Sequence, residues 1–202
     1  MNAFSYHPTM PEALVDVVRP CCCASSSADR PALPPPVSGR FDLVDHFGRA
    51  VNEGSFGTKH LLVFFGFSHC AVVCPRELSK LGRALAMLGS LAEQLQALYV
   101  SVDPARDTPE VLCQYLKGYG WGAGGFLGLT GSQVQVEAAK KSFRVFASRT
   151  EDPGAPGGYA ISHTAISYLM APGGGYRTHF AESLDASSVS LRLKALLQGK
   201  GQ

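Results

Sequence analysis

The chain has no apolar run of the ~18–20 residues that a membrane-crossing helix needs. Its longest, Leu61-Leu-Val-Phe-Phe-Gly-Phe67, falls far short of that length. It shows no secretory leader either: Leu14-Val-Asp-Val-Val18 is broken by Asp16 and runs into Arg19-Pro20. Neither sign of charge is in excess. Lys and Arg number 18 against 16 Asp and Glu, a formal net charge of +2 spread along 202 residues. With no basic stripe interleaved with aromatics, a nucleic-acid partner is not expected. Six cysteines are too few and too unevenly spaced for a disulfide scaffold in a chain this long. No internal repeat is present.

What is there suffices for one ordinary domain with appendages, since 46% of the residues are hydrophobic. Residues 1–36 read as a disordered tail. Cys21-Cys-Cys-Ala-Ser-Ser-Ser-Ala28 and Pro31-Ala-Leu-Pro-Pro-Pro36 lack periodicity and cannot bury much surface. Residues 37–198 carry regular patterning, and 199–202 form a short C-terminal tail. Phe41 to Val51 predicts a small hairpin, and Leu61 to Phe67 a strand covered on both faces. Leucines at 78, 81, 85 and 88 predict an amphipathic helix after Pro75. Leu98–Val102 is the next strand. Thr108 is placed to cap a helix that has Pro109 at its first position. A strand over Phe126–Leu129, a helix capped by Ser132, a strand pair over 165–180 and a helix over 186–197 complete the pattern. Strands alternating with helices and closed by a hairpin predict an α/β fold with a mixed sheet.

The most informative feature is Cys70-Ala-Val-Val-Cys74-Pro75, set directly behind the apolar strand. The residue before a proline is pushed away from helical geometry, so Cys74 is expected at a helix entrance with Pro75 inside it. Both sulfurs would lie near the positive end of the helix dipole, which favours the thiolate that attacks disulfides and binds soft metals. Two buried structural cysteines are the bland alternative. A disulfide wants Cβ atoms ~3.5–4.5 Å apart. Two sulfurs sharing a metal at ~2.3 Å each tolerate a looser arrangement. The spacing leans towards metal without excluding oxidation. A third ligand would add more, and the best candidate is His163 in Ile161-Ser-His-Thr-Ala-Ile166. Taken alone, a histidine at a strand entrance is more often a satisfied surface or core residue. An S2N set would favour Cu(I) through its soft sulfurs and keep Cu(II) accessible through the imidazole. Zinc is possible, but a structural zinc site wants four ligands and no further Cys/His cluster supplies the fourth.

Gly66-Phe-Ser-His-Cys70, Val73-Cys-Pro75, Ser101-Val-Asp-Pro-Ala-Arg-Asp-Thr-Pro-Glu110, Gly128-Leu-Thr-Gly131, Ser162-His-Thr and Tyr168-Leu-Met resemble the Sco/SenC proteins in order and spacing. That resemblance implies a thioredoxin-like fold, with a mixed central sheet flanked by helices and an N-terminal hairpin. It implies Cys70, Cys74 and His163 as copper ligands. It also implies delivery of copper, or of reducing equivalents, to cytochrome c oxidase subunit II or a similar acceptor. The compartment it implies is the bacterial periplasm or envelope, or the mitochondrial inner-membrane space. Three features depart from the family pattern. Ala71 and Val72 replace the usual Pro-Asp after the first cysteine, Ser162 replaces an Asp or Asn, and residues 1–36 contain no apolar membrane anchor, leaving a soluble form or a different true start open.

A thiol–disulfide oxidoreductase without stored metal is the alternative function, with Cys70 and Cys74 cycling through a disulfide. A peroxiredoxin-like peroxidase is disfavoured because Phe64 to Cys70 offers neither the proline nor the threonine of a Pro-x-x-x-Thr-x-x-Cys motif. Asp103 is a candidate second layer behind the metal, or more simply the cap of the turn into Arg106. His69 is expected to point away from its neighbour, Cys113 to fill core space, and Cys21, Cys22 and Cys23 to belong to an inert tail. His46, His60 and His179 lack a supporting pattern. The glycines of 118–125 follow a helix and precede a strand, the wrong order for a phosphate loop.

Overall fold

A computed structural model describes residues 37–121 and 124–199. The tail at 1–36, with Cys21, Cys22 and Cys23, and residues 200–202 lie outside them. In chain order the elements are β1 (Asp42–Asp45), β2 (Ala50–Asn52), β3 (His60–Gly66), α1 (Val73–Ala86), β4 (Leu95–Ser101), α2 (Pro109–Leu116), β5 (Gly120–Trp121) and β6 (Gly124–Gly125). They continue as β7 (Leu127–Thr130), α3 (Gln133–Phe143), β8 (Ala147–Glu151), β9 (Tyr159–His163), β10 (Ile166–Met170), β11 (Tyr176–Ala181) and α4 (Ala186–Leu197).

The main sheet has seven strands in the order β11-β10-β3-β4-β7-β1-β2. Its middle is parallel, β3 to β4 to β7, because helical crossovers separate these strands. The flanks are antiparallel, with the β1–β2 hairpin on β7 and the β10–β11 hairpin on β3. The predicted mixed sheet and N-terminal hairpin are both present.

Leu61 to Phe65 are at most 1% exposed, which is what a strand covered on both faces requires. Leu78, Leu81, Leu85 and Leu88 of α1 and the segment after it are all buried against that sheet. Thr108 accepts the Val111 amide at 3.3 Å, and Ser132 and Gln135 form a reciprocal capping box. One expectation is corrected here: α1 begins at Val73, so Cys74 lies inside the first turn with Pro75 after it. The proline is tolerated because first-turn amides have no intrahelical acceptor. Two small ladders were not expected, β5–β6 and β8–β9. β8 reads Ala-Ser-Arg-Thr-Glu and is mostly exposed, so no apolar alternation marks it.

Candidate metal and dithiol site

The site forms where β3 ends. Phe67 to Val72 make a tight loop, held by the Cys70 amide on the Phe67 carbonyl at 3.2 Å. The loop is clamped from the side by Asp107, which is fully buried. Its carboxylate accepts the Ser68 hydroxyl at 2.5 Å and amide at 3.2 Å, and the Ser101 hydroxyl at 2.6 Å. Gly66 is needed for a different reason. A Cβ there would stand 2.8 Å from Cys74 Sγ and 2.7 Å from the Tyr99 hydroxyl, so any side chain would displace the sulfur.

The two cysteines are inequivalent. Cys74 is fully buried and Cys70 half-exposed. The Cys74 amide points at Cys70 Sγ, 3.4 Å away. The Cys70 thiol is held well below the ordinary thiol range by a hydrogen bond from the Cys74 thiol, against the cost of burial, with help from His163 and the Cys74 and Val72 amides. Cys74 is pushed the other way, because its proton is shared with Cys70 and because it is buried. The expectation that the helix terminus favours both thiolates is therefore corrected: the hydrogen bond to Cys70 and then burial keep the proton on Cys74.

His163, the last residue of β9, brings Nε2 to 3.5 Å from Cys74 Sγ. Its Nδ1 lies 3.1 Å from the Thr164 carbonyl, which can only accept, so this contact takes an Nδ1–H and turns Nε2 towards the sulfurs. Phe64 and Phe67 meet the ring edge-on at centroid distances of 6.3 and 5.8 Å. Among the described residues no three Cys, His, Asp or Glu side chains converge as a preformed metal cage. What the fold supplies is a soft sulfur pair with an aligned imidazole beside it.

Asp103 touches none of the three. It accepts the Tyr159 hydroxyl at 2.8 Å and pairs with Arg106, while its carbonyl takes the Arg106 and Asp107 amides as a turn residue does. Tyr159 opens the strand that ends in His163, and its ring is stacked between Arg106 and Arg149, whose guanidinium carbons lie 3.7 and 3.6 Å from the centroid. Asp103 is thus tied to the first residue of the strand that ends in His163. Neither this anchor nor the Asp107 clamp was recognised in the sequence, although both aspartates flank the motif Pro104-Ala-Arg106. His69 is exposed, and Cys113 is half-buried rather than core. His46 accepts the Gly128 amide at 3.0 Å.

A mixed sheet whose parallel strand delivers a dithiol into a helix, facing a histidine from a distant strand, defines a thioredoxin-like protein with a sulfur–imidazole site. The chain belongs to the SCO1/SenC family, whose model matches residues 29–198. It is 31% identical over 153 residues to a SCO2-like protein of Rickettsia prowazekii, covering 76% of this chain and 73% of the relative. Among solved structures it is similar to Arabidopsis thaliana ScoI with copper bound, with a TM-score of 0.73 at 29% identity, covering 81% of this chain and 99% of the other. Bradyrhizobium japonicum ScoI with copper bound gives a TM-score of 0.70 at 33% identity, covering 79% and 98%. Among the described residues no helix is long and apolar enough to cross a membrane.

Proposed function

We propose that this chain binds copper as cargo through Cys70, Cys74 and His163 and passes it on during assembly of a cytochrome c oxidase copper site. The observation that carries the reading is the approach of His163 Nε2 to 3.5 Å from Cys74 Sγ, beside the half-exposed Cys70. Two sulfurs suit Cu(I), and one imidazole keeps Cu(II) accessible. Copper-bound relatives within the same family support the choice of metal. Side-chain rotation of the half-exposed Cys70 is the adjustment that closes the set. That same exposure lets an acceptor's cysteines and histidines displace the ligands one at a time.

The acceptor is oxidase subunit II or a protein with a similar copper site, and the compartment is the bacterial envelope or the mitochondrial inner-membrane space. Asp103 serves as outer support for His163 by way of Tyr159. The test is copper stoichiometry and absorption of the wild type beside C70S/C74S and H163A. One copper per chain in the wild type, with weakened binding in H163A, is expected. Stoichiometric binding that survives loss of both thiols would overturn the assignment.

A second reading, a thiol–disulfide oxidoreductase acting on the acceptor's cysteines, is favoured by one observation. A half-exposed Cys70 with a depressed pKa stands over a buried partner thiol, the arrangement of an attacking and a resolving cysteine. H163A separates the readings: metal affinity falls under the first, whereas disulfide exchange largely persists under the second.

A further inference from the structure

Tyr99 lies in β4, paired in register with Phe64 of β3 and Gly128 of β7, and is fully buried. Its hydroxyl makes no well-aligned hydrogen bond, and the polar groups it comes near are the Cys74 thiol and the Tyr115 hydroxyl. A buried hydroxyl left unpaired is costly, and packing alone would be served equally well by phenylalanine. The hydroxyl also has a direction. Gly66 follows Phe64 by two residues, on the same face of β3. The space its missing side chain leaves is entered from two sides, by the Tyr99 oxygen and by Cys74 Sγ, 2.7 and 2.8 Å from the position a Cβ would take. Oxygen and sulfur therefore border the same small space.

We propose that Tyr99 is a positioning residue for Cys74: its O–H donates to the sulfur when that sulfur is reduced or a metal ligand, and is left without a partner when the sulfur is in a disulfide. A hydrogen bond donated to the reduced sulfur, which a disulfide sulfur accepts poorly, stabilises the dithiol relative to the disulfide, and in a metal-bound sulfur it withdraws electron density. Tyr115 supplies the internal comparison. Its ring lies 5.7 Å from that of Tyr99 and its hydroxyl is likewise buried, but it approaches the Tyr99 and Tyr119 hydroxyls and is not among the three atoms nearest the Gly66 space.

The experiment equilibrates the apo protein with glutathione buffers. Two glutathione thiols give up two electrons and two protons, the Cys70–Cys74 bond breaks, and the new S–S bond is that of oxidised glutathione. Tyr99→Phe is expected to shift the equilibrium about tenfold towards the disulfide, a midpoint about 30 mV more negative. Tyr115→Phe, which loses a contact to the Tyr99 hydroxyl and none to the sulfur, is expected to shift it by much less. The ring is retained in Y99F and the oxidised protein has no hydroxyl partner to lose, so its melting temperature when oxidised should not fall. Equal midpoints for Y99F and wild type, an equal shift in Y115F, or a less stable oxidised Y99F would each overturn the inference. A second arm rests on the copper reading above. In protein loaded with Cu(II), the sulfur-to-copper absorption band of Y99F should move to longer wavelength. If the apo midpoints shift as expected but no copper binds, the copper reading fails and the role of Tyr99 stands.

Discussion

Asp107 holds the loop of Cys70 from 39 residues away, with Ser68 donating both its hydroxyl, at 2.5 Å, and its amide, at 3.2 Å, to one buried carboxylate. The clamp joins the turn that opens α2 to the segment that leaves β3, so the dithiol loop depends on an element that carries no reactive group.

Burial raises the carboxyl pKa of Asp107, with the Ser101 and Ser68 hydrogen bonds opposing the shift. A raised folded-state pKa means that the folded protein binds the proton more readily than the unfolded chain. This contribution to stability is present below the unfolded value of 3.8 and is lost as pH rises through the folded one. Wild type should therefore lose stability relative to Asp107→Asn over that interval. At neutral pH the variant forfeits carboxylate-accepted bonds worth about 1–3 kcal/mol. Urea unfolding of both proteins across the acidic range reads the slope, and parallel curves would contradict it.

Gly66→Ala should cost about 1–3 kcal/mol, because the added methyl meets the sulfur of Cys74 and the hydroxyl of Tyr99 in a packed interior. The same variant should disturb Cys74 more than Cys70. Denaturant midpoints give the first effect, and mass-resolved alkylation of each thiol gives the second.

Iodoacetamide should label Cys70 of the reduced apo protein at about pH 6, where an ordinary thiol is largely protonated. Its rate should change little up to about pH 8, since the reactive thiolate is already formed across that interval. Cys74 should resist labelling until the protein unfolds, since it is buried and its pKa is raised. Peptide mapping after short exposures checks both statements, and faster labelling of Cys74 would reverse the assignment of roles.

Lys80→Met should destabilise the fold by about 3 kcal/mol. Lys80 pairs with Glu77 at 2.8 Å with both side chains almost entirely buried, and it also donates to the Glu182 carbonyl at 2.9 Å. Removing the ammonium leaves the Glu77 carboxyl with only Ser167 as a neutral donor, at 3.2 Å. Replacing both with apolar residues, as in E77L/K80M, should recover much of the loss because no unpaired charge remains. Thermal melts of the three proteins decide it.

Much of the scaffold was legible because its signals are local. The run Leu61 to Phe65, the leucine spacing of α1 and the caps at Thr108 and Ser132 each depend on neighbours within a turn or two. β8 was not legible, since an exposed Ala-Ser-Arg-Thr-Glu strand is held by its partner β9 rather than by an apolar face of its own. His163 could be picked out as a candidate, but residues 161–166 alone carry nothing that fixes where its ring points. Tyr99, Gly66 and Asp107 passed unnoticed as a group because their connection runs across three neighbouring elements.

The amino-acid order by itself delivers two thiols to the end of a buried strand, because an apolar run followed at once by an amphipathic helix leaves the linking loop nowhere else to go. Only the tertiary structure decides which sulfur is the thiolate and which residue faces it. Burial separates Cys74 from Cys70, and the imidazole arrives through β9, whose first residue is tied to Asp103 by a 2.8 Å hydrogen bond spanning 56 residues. Those are long-range packing and desolvation effects, and no short stretch of sequence contains them.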